Sequence, residues 1–276
     1  MRMNAVHKCL ANAPGILCAA GILVVVFLLM ASPGMAQPPK ALVIINASSG
    51  ATVVAPGSIA AAFGSQIGTS TQIALTLPLP TLLNGVSIDL TDSAMMSQMA
   101  SLFFVSPNQI NFVIPDNVAM GMASAKIMGG INSGAATSVQ VVNVAPGLFT
   151  ANGAGTGVAA ALAIRRIIAT QTDVMVPVFH CDANGCESEP IDMQTGTQLF
   201  LELFGTGLRR RTALSNVTVT VGGEAAVVLF AGAQGQFPGL DQVNIQIPNN
   251  HQHHGEQDLV LMVDGQVANR ARVNLR

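Results

Sequence analysis

The sequence predicts an all-β protein in which two antiparallel β-sandwiches stand in tandem behind an N-terminal signal peptide. Three observations carry this expectation. One strand sentence is written twice, as Gln109-Ile-Asn-Phe-Val-Ile-Pro115 and Gln242-Val-Asn-Ile-Gln-Ile-Pro248, each preceded at a distance by Phe-Gly, in FGSQI at 63–67 and FGTGL at 204–208. A repeated unit of this kind implies one fold used twice. Almost every apolar segment beyond residue 40 is short and bounded by Gly, Pro, Asn or Ser, the spacing expected of sandwich strands rather than of helices. The first 36 residues differ from all the rest in having a long apolar run.

That leader comes first in chain order. Arg2, His7 and Lys8 make a weakly basic start, residues 16–30 are almost entirely apolar, and Ser32-Pro33-Gly34-Met35-Ala36 supplies a helix break and small residues. This is the pattern of a secretory signal peptide cut after Ala36. The alternative is a retained anchor, for which the run is short of the roughly 20 apolar residues that a span needs. Membrane contact is therefore expected only through this segment, if it stays uncleaved. The rest divides into a first sandwich at 41–150 and a second at 151–276, with the Gly-rich stretch 152–157 as a linker or tight crossover.

In the first unit, 53–59, 85–90, 102–105, 109–114 and 137–144 read as strands. In the second, 158–164, 174–179, 198–204, 217–221, 226–230, 242–247 and 258–263 do the same. Only 93–99 suggests a helical turn, with Met residues that fill a loop or lid. In both repeat strands the alternation puts Ile110, Phe112 and Ile114, or Val243, Ile245 and Ile247, on one face. The amides of Gln109, Asn111, Gln242 and Asn244 take the other, where they are expected to bond the backbone of the preceding turn. A carbohydrate-binding strip is the rival reading, weakened by the absence of Trp and Tyr for stacking on sugar rings.

Removal of the leader leaves two cysteines, Cys181 and Cys186, around Asp182-Ala-Asn-Gly185. Asn-Gly favours a hairpin turn that brings the thiols to disulfide distance, and an exported chain meets an oxidising compartment. The alternative is a metal site from His180 and the two thiols, with or without Asp182, a poor zinc set because the fourth ligand is missing and no CxxC pair lies nearby. The one concentration of metal-capable side chains is His251, His253 and His254, near Glu256 and Asp258, read as a solvated turn with weak metal binding as the alternative. Arg209-Arg210-Arg211 reads as a solubilising loop.

Charged residues are 9 % of the chain, and removing Arg2 and Lys8 with the leader takes the formal net charge from −2 to −4. No basic face is available for phosphates, so nucleic acid is not an expected partner. No G-x-S-x-G elbow and no paired acid and base are present, and the Gly-rich stretch lacks the Lys-Ser/Thr of a phosphate loop. No catalytic residue and no cofactor is therefore expected.

Several segments, taken together and in order, carry a family resemblance. They are Ile45-Asn-Ala-Ser48, Val54-Ala-Pro-Gly-Ser-Ile59, Phe63-Gly64, Leu79-Pro-Thr-Leu-Leu-Asn-Gly-Val86, Phe104-Val-Ser-Pro-Asn-Gln-Ile-Asn-Phe112 and Ala145-Pro-Gly-Leu-Phe149. The later half adds Glu202-Leu-Phe-Gly-Thr-Gly-Leu208, Val221-Gly-Gly223, Phe230-Ala-Gly-Ala-Gln-Gly-Gln-Phe-Pro-Gly-Leu-Asp-Gln-Val-Asn244 and Val263-Asp-Gly-Gln-Val-Ala-Asn269. From about Leu42 onward the chain resembles the Solibacter-type uncharacterised C-terminal domain family of secreted bacterial proteins. That resemblance implies immunoglobulin-like or TIG-type sandwiches and carries no catalytic residues. Here almost nothing separates the leader from the domain.

The expected function is thus a non-enzymatic exported module, secreted or held at the cell surface or periplasm, that contacts an envelope protein or polysaccharide. A structural spacer or assembly domain without its own ligand is the second reading, and an extracellular hydrolase accessory the third.

Overall fold

The computed structural model describes residues 42–131, 133–248 and 254–276. The expected signal peptide and two of the three clustered histidines, His251 and His253, lie outside the described residues.

The first unit runs through β1 (Val43–Asn46), β2 (Val53–Val54), β3 (Ile59–Phe63), β4 (Gln72–Ile73), β5 (Val86–Thr91), β6 (Ser97–Met99), β7 (Ser101–Val105), β8 (Gln109–Val113), β9 (Gly121–Gly129) and β10 (Ala136–Val141). Two five-stranded sheets result, ordered β1-β3-β8-β7-β4 and β2-β10-β9-β5-β6. Period-two alternation decides which side of each strand is buried. In β9, for example, Ala123, Ala125 and Ile127 are buried while Met122, Ser124, Lys126 and Met128 are exposed. The inward sets of both sheets, including Ala60, Ala62, Ile110 and Phe112 from one and Ile88, Leu90 and Ile127 from the other, meet in one core.

The second unit runs through β11 (Gly147–Leu148), β12 (Ala161–Ile167), β13 (Thr172–Val176), β14 (Phe179–Asp182), β15 (Gly185–Ser188), β16 (Pro190–Ile191), β17 (Thr197–Thr206), β18 (Val217–Val221), β19 (Glu224–Ala233), β20 (Asp241–Ile247), β21 (Gly255–Val263), β22 (Gln266–Val267) and β23 (Ala271–Leu275). Its strands follow the path β13-β12-β17-β20-β19-β18-β21-β23-β16. Strand β19 serves both sheets: its first residues pair with β18 and the rest, from Val227, with β20. Leu201, Val243 and Ile245 on one side meet Val219, Leu261 and Val273 on the other in a second core.

The two units match strand for strand. The order β1-β3-β8-β7 corresponds to β12-β17-β20-β19, and β2-β10-β9-β5-β6 to β16-β23-β21-β18 with the first part of β19. In each, a two-residue edge strand lies parallel to the last strand, β2 beside β10 and β16 beside β23. With β1, β3, β8 and β7 as strands A, B, E and D, and β5, β9 and β10 as C, F and G, this is the immunoglobulin order, ABED facing CFG. Both sandwiches are therefore immunoglobulin-like. The match extends to register. Ala61 faces Asn111 and Phe63 faces Gln109, as Glu202 faces Asn244 and Phe204 faces Gln242. A bulge falls between Leu102 and Phe104 in the first unit, and between Val228 and Phe230 in the second. Bulges increase local twist, which suits the strand that turns from one sheet toward the other.

Several expectations need correction. Residues 93–99 form no helical turn: Asp92 and Met96 close a hairpin between β5 and β6. The one 3-10 turn among the described residues is Leu214–Asn216. Residues 53–59 are two strands, since the chain breaks at Ala55-Pro-Gly-Ser58, with Gly57 in the left-handed region. The crossing between units comes before Gly147, earlier than position 150, because β11 pairs with β17 of the second sandwich.

Candidate functional site

The two sandwiches meet in a third apolar cluster made from both. Ile59, Ala47 and Phe103 of the first unit pack with Phe204, Leu240 and Phe237 of the second. Polar contacts run alongside. The Ile59 N–H donates to Thr206 Oγ1 (2.8 Å), whose hydroxyl donates to the Gly239 carbonyl (2.7 Å). Asn46 Nδ2 donates to the Ala145 carbonyl (2.8 Å), Asn143 Nδ2 to that of Arg210 (3.0 Å), and Arg210 to that of Asp116 (3.0 Å). The bonds through Asn46 and Thr206 are buried, and buried donors and acceptors that satisfy one another hold an orientation more strictly than apolar contact alone.

Loop length explains how the second unit reaches the first. Three residues separate β7 from β8, whereas seven separate β19 from β20, and the longer loop carries Phe237, Gly239 and Leu240 into the junction. Gly239 has φ +77°, and a Cβ there would stand 2.6 Å from Ile59 Cγ1. Asp241, at the foot of this loop, is fully buried. Its carboxylate accepts the Leu208 N–H (2.9 Å) and Arg209 Nε (2.8 Å). Burial pushes the Asp241 carboxyl above its ordinary value, and the Arg209 guanidinium opposes that rise.

Beside the junction lies an open cleft of ≈ 540 Å³ lined by Asp116, Arg209, Arg210, Arg211 and Phe230, among others. The arginine triplet is thus more than a solubilising loop: Arg209 pairs with Asp241, Arg210 spans the two units, and Arg211 has its Nε buried without a hydrogen-bond partner. Asp116 in the lining, Asp241, and Asp264, whose carboxyl is lowered chiefly by Thr212 and least by Arg211, set three negative charges against these three positive ones. These carboxylates offset part of the positive charge that the lining carries.

The amides form two matching ladders. Gln109 Nε2 donates to Asn111 Oδ1 (2.8 Å), and Gln242 Nε2 to Asn244 Oδ1 (2.7 Å). The expected bonding of these side chains to the preceding turn is not what the structure shows. Ser106 Oγ accepts the N–H groups of Asn108 and Gln109 in one loop, and Gln234 Oε1 those of Gln236 and Phe237 in the other. Gln109 and Asn111 are buried, which closes the first ladder to a sugar, and those of the second are half-buried.

Cys181 and Cys186 face each other across β14 and β15 and are bonded, with Cα atoms 4.0 Å apart. The two turn residues are Ala183 and Asn184, one position earlier than Asn-Gly implies, and Asp182 Oδ1 accepts the Asn184 N–H (2.7 Å). His180 pairs with Glu189 (2.8 Å). The bonded sulfurs leave no thiolate for the zinc reading. Of the clustered histidines only His254 is described; it precedes β21, and its carbonyl accepts Gln257 Nε2 (2.9 Å).

Sequence reasoning missed Asn46, Thr206, Gly239 and Asp241. For Gly239 and Asp241 the signal was the difference between the repeats rather than the repeat: SPNQ in one copy stands where the other has GQFPGLDQ.

No family model and no curated protein matches the chain. Among solved structures it is similar to a tandem pair of titin Ig domains, at 11 % identity over 87 % of this chain and 98 % of that one, TM-score 0.22. It is also similar to domains 5 and 6 of the S-layer protein SbsC, at 11 % identity, 86 % and 97 % coverage, TM-score 0.25. A third is trypsin-activated alpha-2-macroglobulin from Escherichia coli, at 10 % identity, covering 86 % of this chain and 23 % of that one, TM-score 0.23. Likenesses at these scores carry no weight for function. The immunoglobulin-like assignment stands on strand order and register.

Proposed function

We propose that the protein is a non-enzymatic exported module whose two sandwiches, joined at a packed junction, present a contact surface to a protein of the cell envelope. One observation carries this reading. Val227, Leu229 and Phe230 are exposed on β19, and Phe230 borders the junction cleft beside Arg210. Contiguous exposed apolar side chains rimmed by charge are the usual composition of a protein contact. The lack of Trp and Tyr favours a protein over a polysaccharide. Export is supported by the Cys181–Cys186 bond, which persists in an oxidising compartment.

The test is capture of partners by the purified protein from fractionated envelope, compared with the variant Val227→Asp/Leu229→Asp. A protein retained by the native surface and lost by the variant is the expected result. Equal retention by both would remove β19 from the reading. No retention by either would favour the spacer reading, for which the packed junction is also suited.

A further inference from the structure

Met95 and Met96, expected to fill a loop or lid, are exposed instead, and Met120 and Met122 of the neighbouring segment are exposed with them. Met95, Met96, Met120 and Met122 are 82, 62, 60 and 56 % exposed. Methionine ordinarily serves as an adaptable filler of cores, so its packing role does not explain these four.

They come from two segments that the fold ties together at one end of the first sandwich. Asp92 Oδ1 accepts the N–H groups of Ala94 (2.9 Å) and Met96 (3.0 Å), while its Oδ2 accepts that of Ala119 (2.9 Å) from the β8–β9 loop. Ser93 Oγ donates to the Met120 carbonyl (2.6 Å). Gly121, at φ +123°, lies so close that a Cβ would stand 2.9 Å from Ser93 Cβ. Met120 and Met122 therefore flank the residue that touches Ser93, and Met95 and Met96 follow Ser93 by two and three positions.

Backbone preference does not explain Met95 either. Met95 sits at φ +63°, in the left-handed region where Gly or Asn is the inexpensive choice. A methionine there is both strained and unburied. Strain that packing does not require points to function.

We propose that Met95, Met96, Met120 and Met122 form a thioether site for a soft monovalent metal ion of the Cu(I) class. Thioether sulfur is neutral and polarisable, so it discriminates against Mg²⁺, Ca²⁺ and Zn²⁺, which favour oxygen, imidazole or thiolate, and selects Cu(I). The hard groups nearby are otherwise engaged. The Asp92 carboxylate accepts three backbone N–H groups, and Lys126 stands opposite Asp89, further along the sheet. Met99 lies outside the site despite its place in the string Met95-Met-Ser-Gln-Met99. It faces Asp89, four residues from Ser93, or about 13 Å along the strand.

The test uses Ag(I), a redox-inert stand-in for Cu(I), titrated into the protein with ¹³C-labelled methionine methyl groups. The expected result is that the methyl signals of the four residues shift together and saturate at one equivalent, while those of Met99 and Met128 stay fixed. The double variant M95L/M122L keeps the apolar shape, so it should keep its melting temperature and lose at least tenfold in Ag(I) affinity. Uniform shifts across all exposed methionines, no shift in the four, or an unchanged affinity in M95L/M122L would each overturn the proposal. The methyl readout on the native protein decides the matter even if the variant folds poorly.

Discussion

The two sandwiches share strand order, register, bulge position and amide ladder, yet they differ in several of the segments between strands. The second has the longer β19–β20 loop, the buried Asp241 and an inserted hairpin pinned by Cys181–Cys186; the first has the methionine-bearing turns. Sheet pairing tolerates no slip, because a shift of one residue would turn the buried face outward. Loops carry no such constraint. The junction accordingly takes its reach, through Phe237, Gly239 and Leu240, from what the repeat does not repeat.

The largest effect should come from the first core. Phe112 is fully buried, and Phe112→Ala should cost about 3–5 kcal/mol. Because the third cluster couples the units, calorimetry should show one transition moved to lower temperature. Two separated transitions would mean that the sandwiches melt independently.

Next is a paired test at equivalent positions. Asp241→Ala leaves Arg209 and the Leu208 N–H without their partner and should cost about 3 kcal/mol in denaturant unfolding. Its counterpart Asn108 is exposed, so Asn108→Ala should stay within about 0.5 kcal/mol. Equal costs would erase the distinction between the two loops.

Gly239→Ala attacks the junction alone. A left-handed φ and a clash with Ile59 should together cost about 2 kcal/mol. Small-angle scattering should register a change in how the units sit together, with both cores intact by circular dichroism.

The smallest effect concerns Glu202, where the first sandwich has Ala61. Burial pushes the Glu202 carboxyl above its ordinary value. A carboxyl raised by folding binds its proton more tightly in the native state, so its charge costs stability above the folded pKa, and that cost vanishes below the unfolded value of about 4.3. Glu202→Gln should therefore raise the melting temperature at neutral pH, with the gain disappearing as pH falls below about 4. A gain independent of pH would assign the effect to packing.

Much of this architecture was legible beforehand. Alternation in QINFVIP and QVNIQIP places the core residues correctly, since period-two patterning and burial are two descriptions of one geometry. The cysteine hairpin was legible because both ends of that contact lie within six residues. Residues 93–99 misled because apolar Met in a short stretch fits a helical turn as well as a hairpin; the carboxylate of Asp92, bonded to a loop 27 residues away, decides between them. Asn111 and Gln109 misled in another way. Their amides were expected to seek backbone, but a neighbour two positions along on the same face was nearer.

By itself the sequence determined that the chain is all-β, doubled, and register-matched between its halves, because these follow from local periodicity and from a repeat visible in one dimension. Tertiary structure alone decided that Thr206 meets Ile59, that Arg209 is spent on Asp241, and that four methionines from two segments share one end of a sandwich. Those contacts join residues far apart in the chain, and nothing in local pattern encodes which loops a pair of folded sheets will bring together.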